Sequence, residues 1–135
     1  MRRLLLAAAA LALLGACGTA SADGGGPEMR TIELTVHHSR FTPSSFEVAQ
    51  GTTVRFVIRN RDPIDHELIV GDAGVHERHE NGTEPFHPPR PGEVTVPAGT
   101  VAATTYVFDD PGTVVYACHL SGHFAYGMQG AVRVD

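Results

Sequence analysis

Three side chains with sulphur or imidazole donor atoms lie close together near the C-terminus. Cys118, His123 and Met128 follow one another at C-x4-H-x4-M spacing, directly after a short apolar run. A thiolate, an imidazole and a thioether form a soft ligand set that selects copper. Type 1 copper sites combine a Cys, two His and a weak axial Met, so one further His is needed. His66, at the start of an earlier alternating apolar run, is the candidate.

The loop and the approach to His66 resemble those of the cupredoxins, the small blue copper proteins. The C-x4-H-x4-M spacing is similar to that of rusticyanins and auracyanins, whereas plastocyanins and azurins have one shorter gap. The upstream residues that also resemble the family are Phe41, Thr42, Pro43, Phe46, Val48, Gly51, Val54, Phe56, Asn60 and Asp62. The resemblance covers residues 31–135 apart from 71–92. It implies a Greek-key β-sandwich that holds one copper ion at one end through His66, Cys118, His123 and Met128.

The chain from Thr31 onwards has the pattern of short, half-buried strands. Ile32, Leu34 and Val36 alternate with polar residues, and similar runs recur between turn signals. Seven or eight such strands without a long helical pattern predict an all-β sandwich. Residues 71–92 break the alternation, and we expect an inserted loop with one helical turn around residues 76–80.

The N-terminus has the pattern of an export signal. Two arginines precede the apolar run Leu4 to Leu14, whose 11 residues are too few to span a bilayer as a mature helix. The run ends in Leu14-Gly15-Ala16-Cys17, which resembles the lipobox of bacterial lipoproteins. We therefore expect acyl chains on Cys17. The alternative is an ordinary signal peptide that is cut after Ala22.

These features predict a lipoprotein signal peptide at residues 1–16, a lipidated Cys and flexible tether at 17–30, and a copper-binding domain at 31–135. The domain is then expected outside the cytoplasm, in the periplasm or at the cell exterior, as a lipid-anchored monomer. Without the two N-terminal arginines, the 10 basic residues become 8 against 15 acidic ones. Such a balance does not indicate a nucleic-acid surface.

Each ligand assignment has a structural alternative. Cys118 could be a buried structural thiol, but an unpaired Cys in an exported protein is a liability unless a metal ion occupies it. Met128 could be a core residue, although a Met between two glycines of a loop is a poor core choice. Glu67 stands where cupredoxins often carry Asn, Ser or Thr. This difference places in doubt the bond that ties the two ligand regions together.

Four other His residues suggest further metal chemistry. His119 directly follows Cys118, as in multicopper oxidases, but the chain is too short for their additional copper cluster, so we expect a surface or outer supporting role. His76, His79 and His87 lie in the 71–92 insert. We expect them on a solvated polar loop, and the alternative is a weak second site for Cu(II) or Zn(II).

The ligand set predicts a one-electron carrier that serves redox protein partners, with His123 as the electron port. No acid–base pair or nucleotide-binding loop is visible in the sequence, so enzyme activity is not expected. The first alternative is an exported copper-binding or delivery protein. The His-rich insert favours it, and the near absence of Met outside the loop disfavours it. A detached copper domain of a respiratory oxidase or nitrite reductase is the second alternative.

Overall fold

A computed structural model describes residues 28–82 and 88–135. Within these ranges the chain forms nine strands and one helix: β1 (Met29–Val36), β2 (Phe41–Thr42), β3 (Ser45–Val48), β4 (Thr52–Asn60), β5 (His66–Gly71), α1 (Ala73–Asn81), β6 (Glu93–Val96), β7 (Val101–Phe108), β8 (Gly112–Ala117) and β9 (Gln129–Val134). The predicted signal peptide, the lipidated Cys17 and His87 lie outside the described residues.

The strands form two sheets that enclose one hydrophobic core. One sheet has the order β2-β1-β4-β7 and the other has the order β3-β9-β8-β5-β6. Buried side chains from both sheets belong to a single core cluster. The chain crosses between the sheets after β2, β3, β4, β6 and β7, as Greek-key sandwiches do. The all-β sandwich prediction is therefore confirmed.

Strand β4 shows why the alternation identified strands. Val54, Phe56 and Ile58 are fully buried, whereas Arg55 and Arg59 on the opposite face are exposed. Successive side chains of a strand point to opposite faces, so one face of β4 enters the core and the other meets solvent. The Phe56 ring lies at the centre of an aromatic group, with ring centroids 6.0 to 6.4 Å from those of three other rings.

Strand β5 differs because all six of its residues are buried. It lies between β8 and β6 in the sheet, and helix α1 packs against it. The helix begins after Asp72, whose side chain accepts a hydrogen bond from the Val75 N–H at 2.9 Å. A Cβ on Gly71 would lie 2.8 Å from the Val75 side chain, so glycine permits this close approach.

The structure corrects three expectations: the length of the helix, the number of strands and the start of β1. The helical turn expected around residues 76–80 is a nine-residue helix, because Asp72 caps it and β5 offers a surface to pack on. The expected seven or eight strands are nine, because the two-residue β2 also pairs with β1. Of the tether expected at residues 17–30, Met29 and Arg30 belong to β1 instead, where Met29 pairs with Thr53 in parallel register, and residues 17–27 lie outside the described part of the chain. In the described part of the chain, no helix has the length and apolar character needed to cross a membrane.

Candidate metal centre

Two neighbouring strands bring the predicted ligands to one end of the sandwich. His66 is the first residue of β5, and Cys118 follows the last residue of β8. Strands β5 and β8 are antiparallel, with Ile69 opposite Ala117, so the start of one strand lies beside the end of the other. His123 lies in the loop between β8 and β9. In this way residues 52 positions apart in the chain come into contact.

The donor atoms of His66, Cys118 and His123 lie within 4.8 Å of one another. Cys118 Sγ is 3.2 Å from His123 Nδ1 and 4.0 Å from His66 Nδ1. The two Nδ1 atoms are 3.3 Å apart. These three donors could hold a single metal ion, and a thiolate with two imidazoles fits copper.

Asp62 fixes the orientation of His66. The Nε2–H of His66 donates to Asp62 Oδ2 at 2.9 Å, which leaves the Nδ1 lone pair to face Cys118 and His123. Asp62 also accepts hydrogen bonds from the backbone N–H groups of His38 and Ser39, both at 2.7 Å. Burial raises the pKa of Asp62, but the bonds from Ser39, His38 and His66 outweigh it, and the pKa lies below its usual value. Asp62 is therefore a buried carboxylate that holds a ligand side chain.

The protonation of the donors follows from their burial. Cys118 is 0% exposed. Burial raises the pKa of its thiol to about 12; the nearby Glu67 charge adds to the shift, and hydrogen bonds from backbone N–H groups oppose it. Burial also lowers the pKa of His123, and the neighbouring His66 lowers it further. In the metal-free protein at neutral pH the thiol keeps its proton and His123 is neutral, so metal binding displaces the thiol proton.

Backbone hydrogen bonds hold the loop from Cys118 to Met128 in shape. The Cys118 N–H donates to Met128 O at 3.1 Å, and the Met128 N–H donates to His123 O at 3.0 Å. Gly122 and Gly127 have φ of 83° and 84°, a conformation that side chains rarely adopt. Met128 is 1% exposed and belongs to the same core cluster as Cys118, which its loop position did not suggest. Its role as axial ligand stays a prediction.

Glu67 connects the region of His66 to the loop that begins at Cys118, although cupredoxins often carry Asn, Ser or Thr at this position. Its backbone N–H donates to Cys118 Sγ at 3.4 Å. Its carboxylate Oε1 accepts a hydrogen bond from the His119 N–H at 2.8 Å. Glu67 is 3% exposed, so both bonds are sheltered from water. A carboxylate thus makes the connection from β5 to the metal loop.

Of the two roles expected for His119, a surface position is wrong, because helix α1 covers this residue; the outer supporting role stays a prediction. The His119 side chain is 1% exposed. Its Nε2 lies 2.8 Å from His76 Nδ1, and its Nδ1 lies 2.8 Å from Glu80 Oε2. His76 is 8% exposed, so this part of the insert is packed against the protein rather than solvated.

The predicted trio of His76, His79 and His87 is tested only in part. His79 Nε2 lies 3.2 Å from Glu93 Oε2, whereas His76 faces His119. His87 lies outside the described residues, so the trio as a whole stays a prediction. Neither the contact of His76 with His119 nor the role of Asp62 was predicted. The sequence carried a signal for Asp62, a carboxyl four residues before His66, and none for the contact of His76 with His119.

Comparisons with known proteins agree with this fold. A family model described as a cupredoxin-like domain matches residues 5–93, a segment that contains His66 and ends before Cys118. The chain is 33% identical over 109 residues to the copper-resistant cuproprotein CopI of Rubrivivax gelatinosus, covering 78% of this chain and 66% of that relative. It is 29% identical over 138 residues to the copper-resistant cuproprotein CopI of Pseudomonas aeruginosa, covering 78% and 76%.

Among solved structures, auracyanin B superposes with a TM-score of 0.65 at 24% identity, covering 82% of this chain and 91% of auracyanin B. This likeness shows the fold, a sandwich of two facing sheets. The family model independently matches more than half of the chain. The chain therefore belongs to the cupredoxin-like domain family.

Proposed function

We propose that this protein is a one-electron carrier that holds one type 1 copper ion through His66, Cys118, His123 and Met128. The observation that carries the proposal is the convergence of one thiol and two imidazoles within 4.8 Å. Copper in such a donor set can alternate between Cu(I) and Cu(II) and so accept and release one electron.

Hydrogen bonds that do not depend on a metal ion support this role. Asp62 orients His66, and the Glu67 N–H donates to Cys118 Sγ. The loop is held by the bonds among Cys118, His123 and Met128. Donors fixed in this way change position little when the oxidation state changes. Small rearrangement is what fast electron transfer requires.

We place the electron port at His123. His66 and Cys118 are fully buried, whereas His123 is partly exposed. Tyr126 in the same loop is 82% exposed, so the loop offers an aromatic surface beside His123 to a redox protein partner. No enzyme activity is assigned to the chain.

We also propose an extracytoplasmic position with acyl chains on Cys17. The support is the signal pattern that ends at Cys17, and stable anchoring requires more than one acyl chain. Mass spectrometry of the mature N-terminus tests it: a diacylated or triacylated Cys17 is expected. An unmodified N-terminus beyond Cys17 excludes the anchor.

A role in copper tolerance, by binding or delivering copper, is the second candidate. It is favoured by the two relatives, which are named copper-resistant cuproproteins. The two functions differ in what happens to the copper ion on reduction. A carrier must retain it in every cycle, whereas a delivery protein must release it to a partner.

The experiment that separates them follows copper through one redox cycle. Copper-loaded protein is reduced anaerobically, dialysed against a modest Cu(I) chelator and reoxidised. The intense thiolate-to-copper absorption is compared before and after. Full recovery supports the carrier, and rapid loss of copper from the reduced protein supports delivery. Cys118→Ser should abolish the band, and His37→Gln, at an exposed residue, should leave it unchanged. A wild-type protein without the band would exclude a type 1 site.

A further inference from the structure

A second pair of imidazoles faces each other without sharing a donor atom with the first site. His76 lies on helix α1, and His119 follows Cys118. His76 Nδ1 and His119 Nε2 are 2.8 Å apart. His76 is 8% exposed, and the His119 side chain is 1% exposed. The Phe124 ring covers the pair, because it stacks on His76 at 6.2 Å between centroids and lies 4.7 Å from His119.

The outer nitrogens of the two rings have partners that can only accept a hydrogen bond. His76 Nε2 lies 3.2 Å from Val115 O, a backbone carbonyl, so this nitrogen carries a proton. His119 Nδ1 lies 2.8 Å from the carboxylate of Glu80, so this nitrogen also carries a proton. In neutral rings the two facing nitrogens are then both lone pairs. Two lone pairs at this separation repel unless a cation lies between them, either a shared proton or a metal ion.

The partners of the outer nitrogens favour a metal ion over a shared proton. A carbonyl or carboxylate on the outer nitrogen is the usual arrangement behind a metal-ligating His, because it fixes the ring and the tautomer. Two imidazoles that bind one ion at about 2.0–2.1 Å, at angles between square and tetrahedral, have nitrogens roughly 2.8–3.4 Å apart. The observed separation lies at the lower end of that range.

We propose that His76 and His119 bind a second metal ion, a divalent cation of the Zn(II) or Cu(II) type that favours imidazole donors. Glu80 balances its charge through His119. The site does not depend on the proposed electron-carrier function, because its two donors lie outside the first cluster. A chain of this kind would hold two metal ions of different chemistry, one at a thiolate and one at imidazoles.

The test uses the full-length, copper-loaded protein and Zn²⁺ alone as the probe. Bound zinc is counted by elemental analysis after desalting, and its affinity is measured by calorimetry. The expected result is one zinc per chain in addition to copper, with the thiolate-to-copper band unchanged. Titration with Cu(II) in place of zinc should give a second electron paramagnetic resonance signal without a thiolate band. The absence of a second zinc equivalent would overturn the proposal.

Two variants assign the ion to this pair. His76→Gln should weaken zinc binding at least tenfold, and the exposed His37→Gln is its matched control. Glu80→Gln removes the carboxylate from His119 and should weaken binding about 10–100-fold, whereas Glu77→Gln on the same helix should not. Glu80 is 42% exposed, so its variant tests the site without threatening the fold. Unchanged zinc affinity in the folded Glu80→Gln variant and in His76→Gln would show that the pair holds a shared proton only.

The two proposals fail separately. If the first site does not bind copper, the thiolate band is absent, but zinc binding by Cys118→Ser still reports on His76 and His119. If the second site does not bind zinc, the band and the potential of the first site are unaffected.

Discussion

The Asp62 carboxylate is the side chain whose replacement tests the design of the copper site most directly. Asp62→Asn preserves shape but removes the charge and exchanges one acceptor oxygen for an NH₂ group. The carboxylate accepts three hydrogen bonds, from His66 Nε2 at 2.9 Å and from the N–H groups of His38 and Ser39 at 2.7 Å. An amide oxygen cannot satisfy all three donors in these positions, so at least one bond is lost.

The expected magnitudes follow from these contacts. A hydrogen bond to a charged group contributes about 1.5–3 kcal/mol, and Asp62 is 6% exposed. Asp62→Asn should therefore lower the free energy of unfolding of the metal-free protein by about 2–4 kcal/mol. His66 also loses the partner that fixes its ring. Variants of such partners typically lose about 10–100-fold in metal affinity, or about 1.4–2.8 kcal/mol.

Urea denaturation of the metal-free protein and competition for copper with a chelator measure the two effects. Asp65→Asn is the matched control, because Asp65 bonds the Ala98 N–H and can still do so as an amide. The hydrogen bonds hold the pKa of Asp62 below its ordinary 3.8, so its contribution to stability is present above that pH and is lost as the pH falls through the lowered value. The gap between wild type and variant should therefore close in acid. A variant with unchanged stability and with copper affinity within twofold of wild type would refute this account of Asp62.

Three further predictions concern Cys118, Tyr116 and Met128. Burial raises the pKa of Cys118 to about 12 and lowers that of His123, so copper binding at neutral pH should release one proton. The copper affinity should therefore fall about tenfold per pH unit on acidification. Calorimetry in buffers of different ionisation enthalpy measures the number of protons released, and Cys118→Ser should release none. Tyr116→Phe removes the bond from the Tyr116 hydroxyl to Pro43 O at 2.7 Å and should cost about 1 kcal/mol in urea denaturation, without changing the copper spectrum. Met128→Leu should keep the thiolate-to-copper band and raise the potential, because Cu(II) loses more than Cu(I) from a missing axial donor; an unchanged potential by voltammetry would exclude the axial role.

The fold and the first cluster were largely predictable because their signals are local. Alternation of the kind seen in β4 identifies a strand within a few residues. The spacing of Cys118, His123 and Met128 places three donors in one loop, whatever the rest of the chain does. The pairing of His66 with this loop needed the register of β5 against β8, and alternation alone does not give it. The resemblance to cupredoxins supplied that step.

The surroundings of His119 could not be predicted, because they depend on where helix α1 packs. The helix carries few apolar residues, and Val75 is the one that approaches Gly71 of β5. A sequence with so weak an apolar face predicts a solvated segment. The burial of His76 comes instead from polar contacts with His119 and Val115. Such contacts join residues about 40 positions apart and leave no periodic signal.

The distribution of exposure among the four proposed ligands bears on whether copper stays in the protein. His66, Cys118 and Met128 are at most 1% exposed, and His123 is the partly exposed member. Release of the metal requires a proton to return to Cys118 Sγ, which is buried and accepts a hydrogen bond from the Glu67 N–H. Among the described ligand residues, His123 is the one that a delivery partner could reach from solvent. An electron needs no such opening, because it can pass through the imidazole itself. The burial of three of the four proposed ligands therefore favours electron transfer over delivery of copper.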